Sequence, residues 1–213
     1  MSAMSLESQM KSWGPASALS MLIAVAMAAC SSAPPPAPAP PPAPPAPRVD
    51  VREAQAVLAS ASGSLVSGKI VLTPVAGGVR LLGEVGGLPK SGRAGFHVHE
   101  RGDCSSVDAG SAGAHFNPTG QPHGNAKTGP HHAGDLDNLI ADLDGVARVD
   151  VVLRDVSLGG PPNTDIAGRA LVVHAAPDDY RSQPAGNSGA RVACGVIRIT
   201  HQQPLPTAAP ATR

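Results

Sequence analysis

Half of the chain's eight histidines lie in one stretch of 21 residues, His115-Phe-Asn-Pro-Thr-Gly-Gln-Pro-His-Gly-Asn-Ala-Lys-Thr-Gly-Pro-His-His-Ala-Gly-Asp135. Gly, Pro, Asn and Thr fill much of the remainder, so the segment has little apolar surface to bury and reads as loop. Neutral imidazoles and ionised carboxylates ligate divalent metals, and three imidazoles with one carboxylate make an ordinary tetrahedral zinc set. His115, His123, His131, His132 and Asp135 offer one donor more than such a set needs. Upstream, Phe96-His97-Val98-His99 places two histidines at i and i+2. On a strand they share one face, where both can reach one metal. His174 ends the apolar run Ala170-Leu-Val-Val-His174 and can close that site from the opposite side. Four imidazoles with no thiolate suit copper(II), which heads the divalent affinity order. These donors fill two four-coordinate sites if one histidine is shared.

Such a constellation needs a rigid frame, and the chain after Arg48 supplies a pattern for one. Short β-rich or alternating runs recur between Gly, Pro, Asp and Asn clusters, predicting strands at 54–60, 65–74, 79–85, 94–100, 136–142, 146–153, 169–174 and 191–200. Asp144-Gly145 between two of these runs signals a tight hairpin, because both residues tolerate positive φ. Eight short strands without an amphipathic helix predict an all-β fold, an eight-stranded Greek-key barrel or sandwich. Two long connections, Arg101 to Asp135 and Ala175 to Ala190, interrupt it and hold most of the polar chemistry. Long loops on a rigid scaffold tend to be functional.

Composition narrows the setting. Among 213 residues, 42% are hydrophobic but only 2% aromatic, so the core must come from Val, Ile, Leu and Ala. Sixteen basic against sixteen acidic residues leave no basic footprint for nucleic acid. At the N-terminus Lys11 precedes a mostly apolar run from Ala18 to Ala29, too short to span a bilayer but suited to the core of a signal peptide. Met10-Lys11 makes a more usual signal start than Met1. Ala28-Ala29 leads into Cys30, an arrangement similar to the processing site of bacterial lipoproteins, in which that cysteine carries the lipid. The Pro/Ala run from Ser31 to Pro47 cannot form a core and favours polyproline II, a spacer of roughly 50 Å at about 3.1 Å per residue. The expected organisation is therefore a signal peptide over 1–29, a lipidated Cys30 with its tether over 30–48, one domain over 49–200 and a disordered tail over 201–213. With Cys30 assigned to lipid, Cys104 and Cys194 remain as a pair, and an exported chain can oxidise them to a disulfide.

At this point the residues carry a specific resemblance. Gly95-Phe-His-Val-His-Glu-Arg-Gly-Asp103, His115-Phe-Asn-Pro118, His123-Gly124, His132-Ala-Gly-Asp-Leu136, Gly168-Arg-Ala-Leu-Val-Val-His174 and Gly189-Ala-Arg-Val-Ala-Cys-Gly-Val196 resemble the copper,zinc superoxide dismutase family in order and spacing, from about Ala54 to Thr200. The resemblance implies a flattened Greek-key barrel carrying both metals outside it. It implies copper at His97, His99, His115 and His174, and zinc at His115, His123, His132 and Asp135, with His115 bridging the two. The His-x-x-Asp step before Asp135 selects His132 and leaves His131 facing solvent. Cys104 and Cys194 are similar to the family disulfide, although Cys104 lies further before His115 than in eukaryotic members.

The activity implied is conversion of two superoxide anions and two protons to dioxygen and hydrogen peroxide, with copper alternating between Cu(II) and Cu(I). Arg191, three residues before Cys194, stands where the family places its substrate-guiding arginine, and His115 can carry a proton. Asp178 matches the carboxylate that links a copper histidine to a zinc histidine. The loop from Ala175 to Ala190 is shorter than in many eukaryotic members, and the exported bacterial branch looks closer. The expected setting is thus the periplasm or cell surface, with the membrane as a partner through Cys30. A homodimer is compatible, since family members pair through different barrel faces. A non-catalytic copper- and zinc-binding module on the same fold is the alternative, and would be favoured by loss of a copper ligand or of Arg191.

Overall fold

The computed structural model describes residues 49–204; the expected signal peptide, Cys30 and the expected tether over 1–48, and residues 205–213, lie outside the described residues. Nine strands run in chain order: β1 Val49–Ser60, β2 Ser67–Val75, β3 Gly78–Gly86, β4 Arg93–Ala94, β5 Phe96–His99, β6 Leu139–Ile140, β7 Ala147–Arg154, β8 Ala170–His174 and β9 Arg191–Pro204. A single 3-10 turn, Gly110–Ala112, interrupts the first long loop.

Seven of the strands form one antiparallel sheet in the order β5-β8-β9-β1-β2-β3-β7. β4 pairs with β6, and an Ala141–Ala147 bridge joins the end of β6 to β7. Because β4 runs into β5 through Gly95 alone, these links curl the sheet back on itself, the closed Greek-key arrangement. Alternation sets its inside. Ala54, Ala56 and Leu58 of β1, Ile70 and Leu72 of β2, and Val79, Leu81 and Val85 of β3 are buried in one core cluster with Phe96, Val98, Leu171 and Ile197. Aliphatic side chains of this size fill the interior of a small barrel without aromatic bulk.

The strand predicted over 94–100 is two strands. The Gly95 amide donates to Ala176 O at 2.9 Å, and a Cβ there would lie 2.8 Å from Ser188 Oγ and 3.2 Å from His97 Cε1. The glycine thus hands the chain from its β6 partner to its β8 partner. The strand predicted over 136–142 shrinks to Leu139–Ile140, because Asp135 and Asn138 turn their side chains to other work. β9 continues past Thr200 to Pro204, where Gln202, Gln203 and Pro204 pair with Val51, Asp50 and Val49, so the first four residues of the expected tail are strand.

Cys104 and Cys194 form a disulfide with a Cα–Cα distance of 5.7 Å, packed with Ala61, Ala109, Ala112, Ala170 and Val172. It closes a loop with a sequence separation of 90, which in the chain-entropy account contributes about 4 to 5 kcal/mol by restricting the unfolded chain. Its structural effect is to fix the start of the long loop against β9.

Candidate metal centre

β5 is buried on both faces. Phe96 and Val98 face the barrel core, while His97 and His99 face outward beneath the two long loops. Antiparallel bridges from His99 to His115 and from His97 to Asp135 lay the first loop along β5. β8 runs on its other side and delivers His174 at its end. The six histidines and the aspartate singled out as ligands are all buried, and they assemble as His97, His99, His115 and His174 in one set and His115, His123, His132 and Asp135 in the other. Within each set the ligand atoms lie within 4.8 Å of one another. His131 stays outside, only half-buried, with Nδ1 donating to Gly129 O at 2.8 Å.

Hydrogen bonds show which nitrogen each ring leaves free. His99 Nδ1–H donates to Gly113 O at 2.9 Å and His174 Nδ1–H to Gly189 O at 3.3 Å, so their Nε2 atoms, 3.4 Å apart, present lone pairs to each other. His97 donates through Nε2 to Asp178 Oδ2 at 2.9 Å, and its buried Nδ1 has no partner. The buried Nε2 of His115 has none either. Orphaned buried nitrogens are costly, and lone pairs aimed at one point repel. A cation at that point resolves both, and an all-imidazole set fits copper.

On the other side, Asp135 Oδ1 lies 2.8 Å from His115 Nδ1 and 3.3 Å from His132 Nδ1. Its Oδ2 accepts the backbone N–H groups of His132 at 2.9 Å and Gly124 at 3.2 Å. His123 Nδ1 is 3.0 Å from that same oxygen but outside hydrogen-bond geometry, the third buried nitrogen without a partner. Three imidazole nitrogens around one carboxylate are a zinc set. His115 therefore belongs to both sets, one ring nitrogen toward each.

Burial governs the charges. It lowers His99 to about 2, His174 to about 3 and His115 to about 4, with neighbouring imidazoles and, for the first two, Arg191 pushing the same way. All three stay neutral at physiological pH, as ligation requires. Burial would raise Asp135, but the imidazoles of His115, His123 and His132 against its two oxygens hold it well below the usual carboxylate range. Burial works against a charge on His123 too, yet Asp135 and Asp178 together lift it to about 9.

Asp178 joins the two halves, accepting from His97 Nε2 on Oδ2 and from His123 Nε2 on Oδ1, each at 2.9 Å. Its own backbone is held by Asn138, which accepts the Asp178 N–H at 2.7 Å and donates to Asp178 O at 2.9 Å. The Tyr180 hydroxyl accepts both the backbone and side-chain N–H of Asn138. A Cβ on Gly186, whose φ is +65°, would collide with Asp178 Oδ1 and lie 2.6 Å from His123 Nε2. Arg169 stacks its guanidinium 3.7 Å over Phe116 and donates to Glu100 O, bracing the residue beside His115. Motif spacing gave no signal for Asn138, Tyr180, Gly186 or Arg169. Arg191, half-buried, donates to Ala109 O and Gly113 O; the latter carbonyl also receives His99 Nδ1–H.

Residues 66–197 match the sequence model of the copper/zinc superoxide dismutase (SODC) family. A curated relative from Aquifex aeolicus, superoxide dismutase [Cu-Zn] 2, is 42% identical over 149 residues, 68% of this chain and 86% of that one. Superoxide dismutase [Cu-Zn] 1 of the same organism is 41% identical over 134 residues, 62% of this chain and 79% of that one. Among solved structures, a double mutant of a SOD-like protein from Bacillus subtilis is similar with a TM-score of 0.62 at 35% identity, covering 68% of this chain and 96% of that one. The clock protein EA4 is similar with a TM-score of 0.63 at 42% identity, covering 70% and 95%.

Two outcomes follow for the metal sets. His132→Ala is expected to lose zinc while His131→Ala keeps it, read as metal content after dialysis. Because His123 sits near 9 in the metal-free chain, it is protonated at pH 7 and must release that proton to bind. Zinc affinity should therefore climb with pH up to about 9 and level off above, with about one proton released per zinc at pH 7. Calorimetric titration in buffers of different ionisation enthalpy measures both.

Proposed function

The chain belongs to the copper/zinc superoxide dismutase family, and from its geometry we propose how each site residue serves that activity. Dismutation of superoxide by an enzyme holding copper and zinc is the activity its relatives are named for. In this reading His97 Nδ1 and the Nε2 atoms of His99, His115 and His174 hold copper, while the Nδ1 atoms of His115, His123 and His132 with Asp135 hold zinc. The observation that carries it is His115, whose two ring nitrogens face the two sets. Copper bound there supplies the one-electron redox step, by which one superoxide becomes dioxygen and a second, with two protons, becomes hydrogen peroxide.

The chain's own residues do the rest. His115 Nε2 would hold a proton for the reduced oxygen species only when it is released from copper, since one lone pair cannot serve both, while Nδ1 would stay engaged with the second set. Asp178 keeps the His97 and His123 rings turned inward by accepting their outer N–H groups, so neither ring can rotate its free nitrogen away. Arg191 holds a fixed positive charge beside His99, where it attracts and orients a small anion at the end of its path.

The sequence supports a location as well. A lipid on Cys30 and the Pro/Ala spacer would keep the barrel at a membrane face outside the cytoplasm, where it protects the envelope from superoxide that charge keeps from crossing the bilayer.

Arg191→Ala is expected to reduce the second-order rate with superoxide about 10-fold or more, with metal content unchanged, and to flatten its dependence on ionic strength. Arg191→Lys should retain more of both. Pulse radiolysis over a salt series measures this; a fully metallated, oxidised parent protein with no dismutation would instead favour a metal-binding role without catalysis. Separately, Cys30→Ala should move the protein from the membrane to the soluble fraction on cell fractionation. Unchanged membrane association would remove Cys30 as the anchor.

A further inference from the structure

Among the ligands of the second set, His123 alone is neither bridged to β5 nor within one turn of a residue that is. His115 is bridged to β5 through His99, Asp135 is bridged to β5 through His97, and His132 lies three residues before Asp135, its N–H bonded to the Asp135 carboxylate. His123 sits between Pro122 and Gly124, on a stretch whose nearby backbone bonds are local turns. Its main chain nevertheless has a partner of high specificity. Gln183, in the second long loop, accepts the His123 N–H on Oε1 at 2.9 Å and donates through Nε2 to His123 O at 2.9 Å. Both ends of one primary amide thus bond both polar groups of one residue, as a neighbouring strand would. A second bond from Nε2 to Arg181 O, at 3.2 Å, ties the amide to its own loop.

We propose that Gln183 is a positioning residue for zinc, fixing the His123 backbone so that Nδ1 points at the zinc set. The same loop reaches His123 twice, from Gln183 on the main chain and from Asp178 on the ring Nε2. A ring held at Nε2 alone can still swing about its Cα as the loop shifts; a ring held at both places has one direction left for Nδ1. Gly186, three residues on, leaves the room for this grip, since any Cβ there would occupy the contact between Asp178 and His123. The short second loop is, on this account, half of the zinc site although it supplies no zinc ligand.

This inference rests on His123 being a zinc ligand, and the experiment separates the two. Gln183→Ala, Gln183→Glu and the exposed loop control Arg181→Ala are made in the full-length holoprotein. Zinc affinity is measured by competition with a chromogenic chelator, the zinc set is filled with cobalt(II) to read its ligand-field absorption, and the melting temperature of the metal-free protein is recorded. Gln183→Ala is expected to weaken zinc about 10- to 100-fold, the range for loss of a group that orients a ligand. It should broaden or shift the cobalt bands and leave the metal-free melting temperature at that of Arg181→Ala. Gln183→Glu keeps the acceptor for the His123 N–H and loses the donor, so it should fall between Gln183→Ala and the parent, and it carries the test if Gln183→Ala does not fold. Unchanged zinc affinity and cobalt spectrum in the Gln183 variants overturn the inference while leaving the zinc assignment intact. So does weakened zinc with an unshifted cobalt spectrum and a matching fall in metal-free melting temperature, which would mark general support of the loop. Full zinc binding by His123→Ala would remove the ligand assignment itself.

Discussion

Everything else in the molecule answers to one constraint: seven side chains must be held in a dry space with their ligand atoms converging on two points. Without cations, buried imidazole nitrogens there go unpartnered, and flexible side chains would turn away. The orphaned Nδ1 of His97, Nε2 of His115 and Nδ1 of His123 are that cost made visible. Holding them there takes a scaffold that does not relax. β5 meets the need by being buried on both faces, so Phe96 and Val98 lock the backbone while His97 and His99 stand on the other side. The metals then offset that cost by binding.

A rigid strand can aim only the residues it carries, and most of the donors lie in loops. The loops acquire direction in steps. Isolated antiparallel bridges set His115 beside His99 and Asp135 beside His97 on the free side of β5. Asp178 then ties the rings of His97 and His123 together, and Asn138 with Tyr180 fixes Asp178. Each layer is less regular than the one it supports, and each uses hydrogen bonds where the barrel uses apolar packing. That order explains why the second loop can be short: it needs only enough residues to bring a carboxylate, a glycine and an amide to the first.

Legibility in the sequence follows the same layers. The period-2 runs located the strands that make the core, because alternation reports a face buried against aliphatic neighbours, as in Ala54, Ala56 and Leu58. The side chains that converge in the fold were legible through donor chemistry and family spacing, with His132 inside the second set and His131 outside it. What spacing could not report was any role set by a distant contact. Nothing in the motifs singled out Asn138, inside a predicted strand, or Gln183, in a long loop, because their partners lie 40 and 60 residues away. The break at Gly95 was hidden for a similar reason: a glycine in a strand-like run signals a change of partner only once Ser188 is known to lie against it. At the C-terminus, polar composition suggested disorder beyond Thr200, yet pairing with β1 continues to Pro204 because backbone ladders need no apolar side chains when a partner is already in place.

The disulfide and Arg191 form a last coupled pair. Cys194 and Arg191 sit three residues apart on β9, and both reach across to the first loop, Cys194 by a covalent bond to Cys104 and Arg191 by hydrogen bonds to Ala109 O and Gly113 O. The 3-10 turn at Gly110–Ala112 lies between those carbonyls and packs its alanines on the disulfide. A guanidinium bonded to two carbonyl oxygens makes no direct ion pair, although the exposed Asp108 carboxylate acts on it from nearby, whereas a bonded carboxylate would neutralise more of the field that draws an anion inward. The covalent link therefore serves more than stability. It holds two carbonyls at the separation one guanidinium can span, and because Gly113 O also receives His99 Nδ1–H, the same carbonyl sets the distance between the Arg191 charge and the His99 ring of the first set.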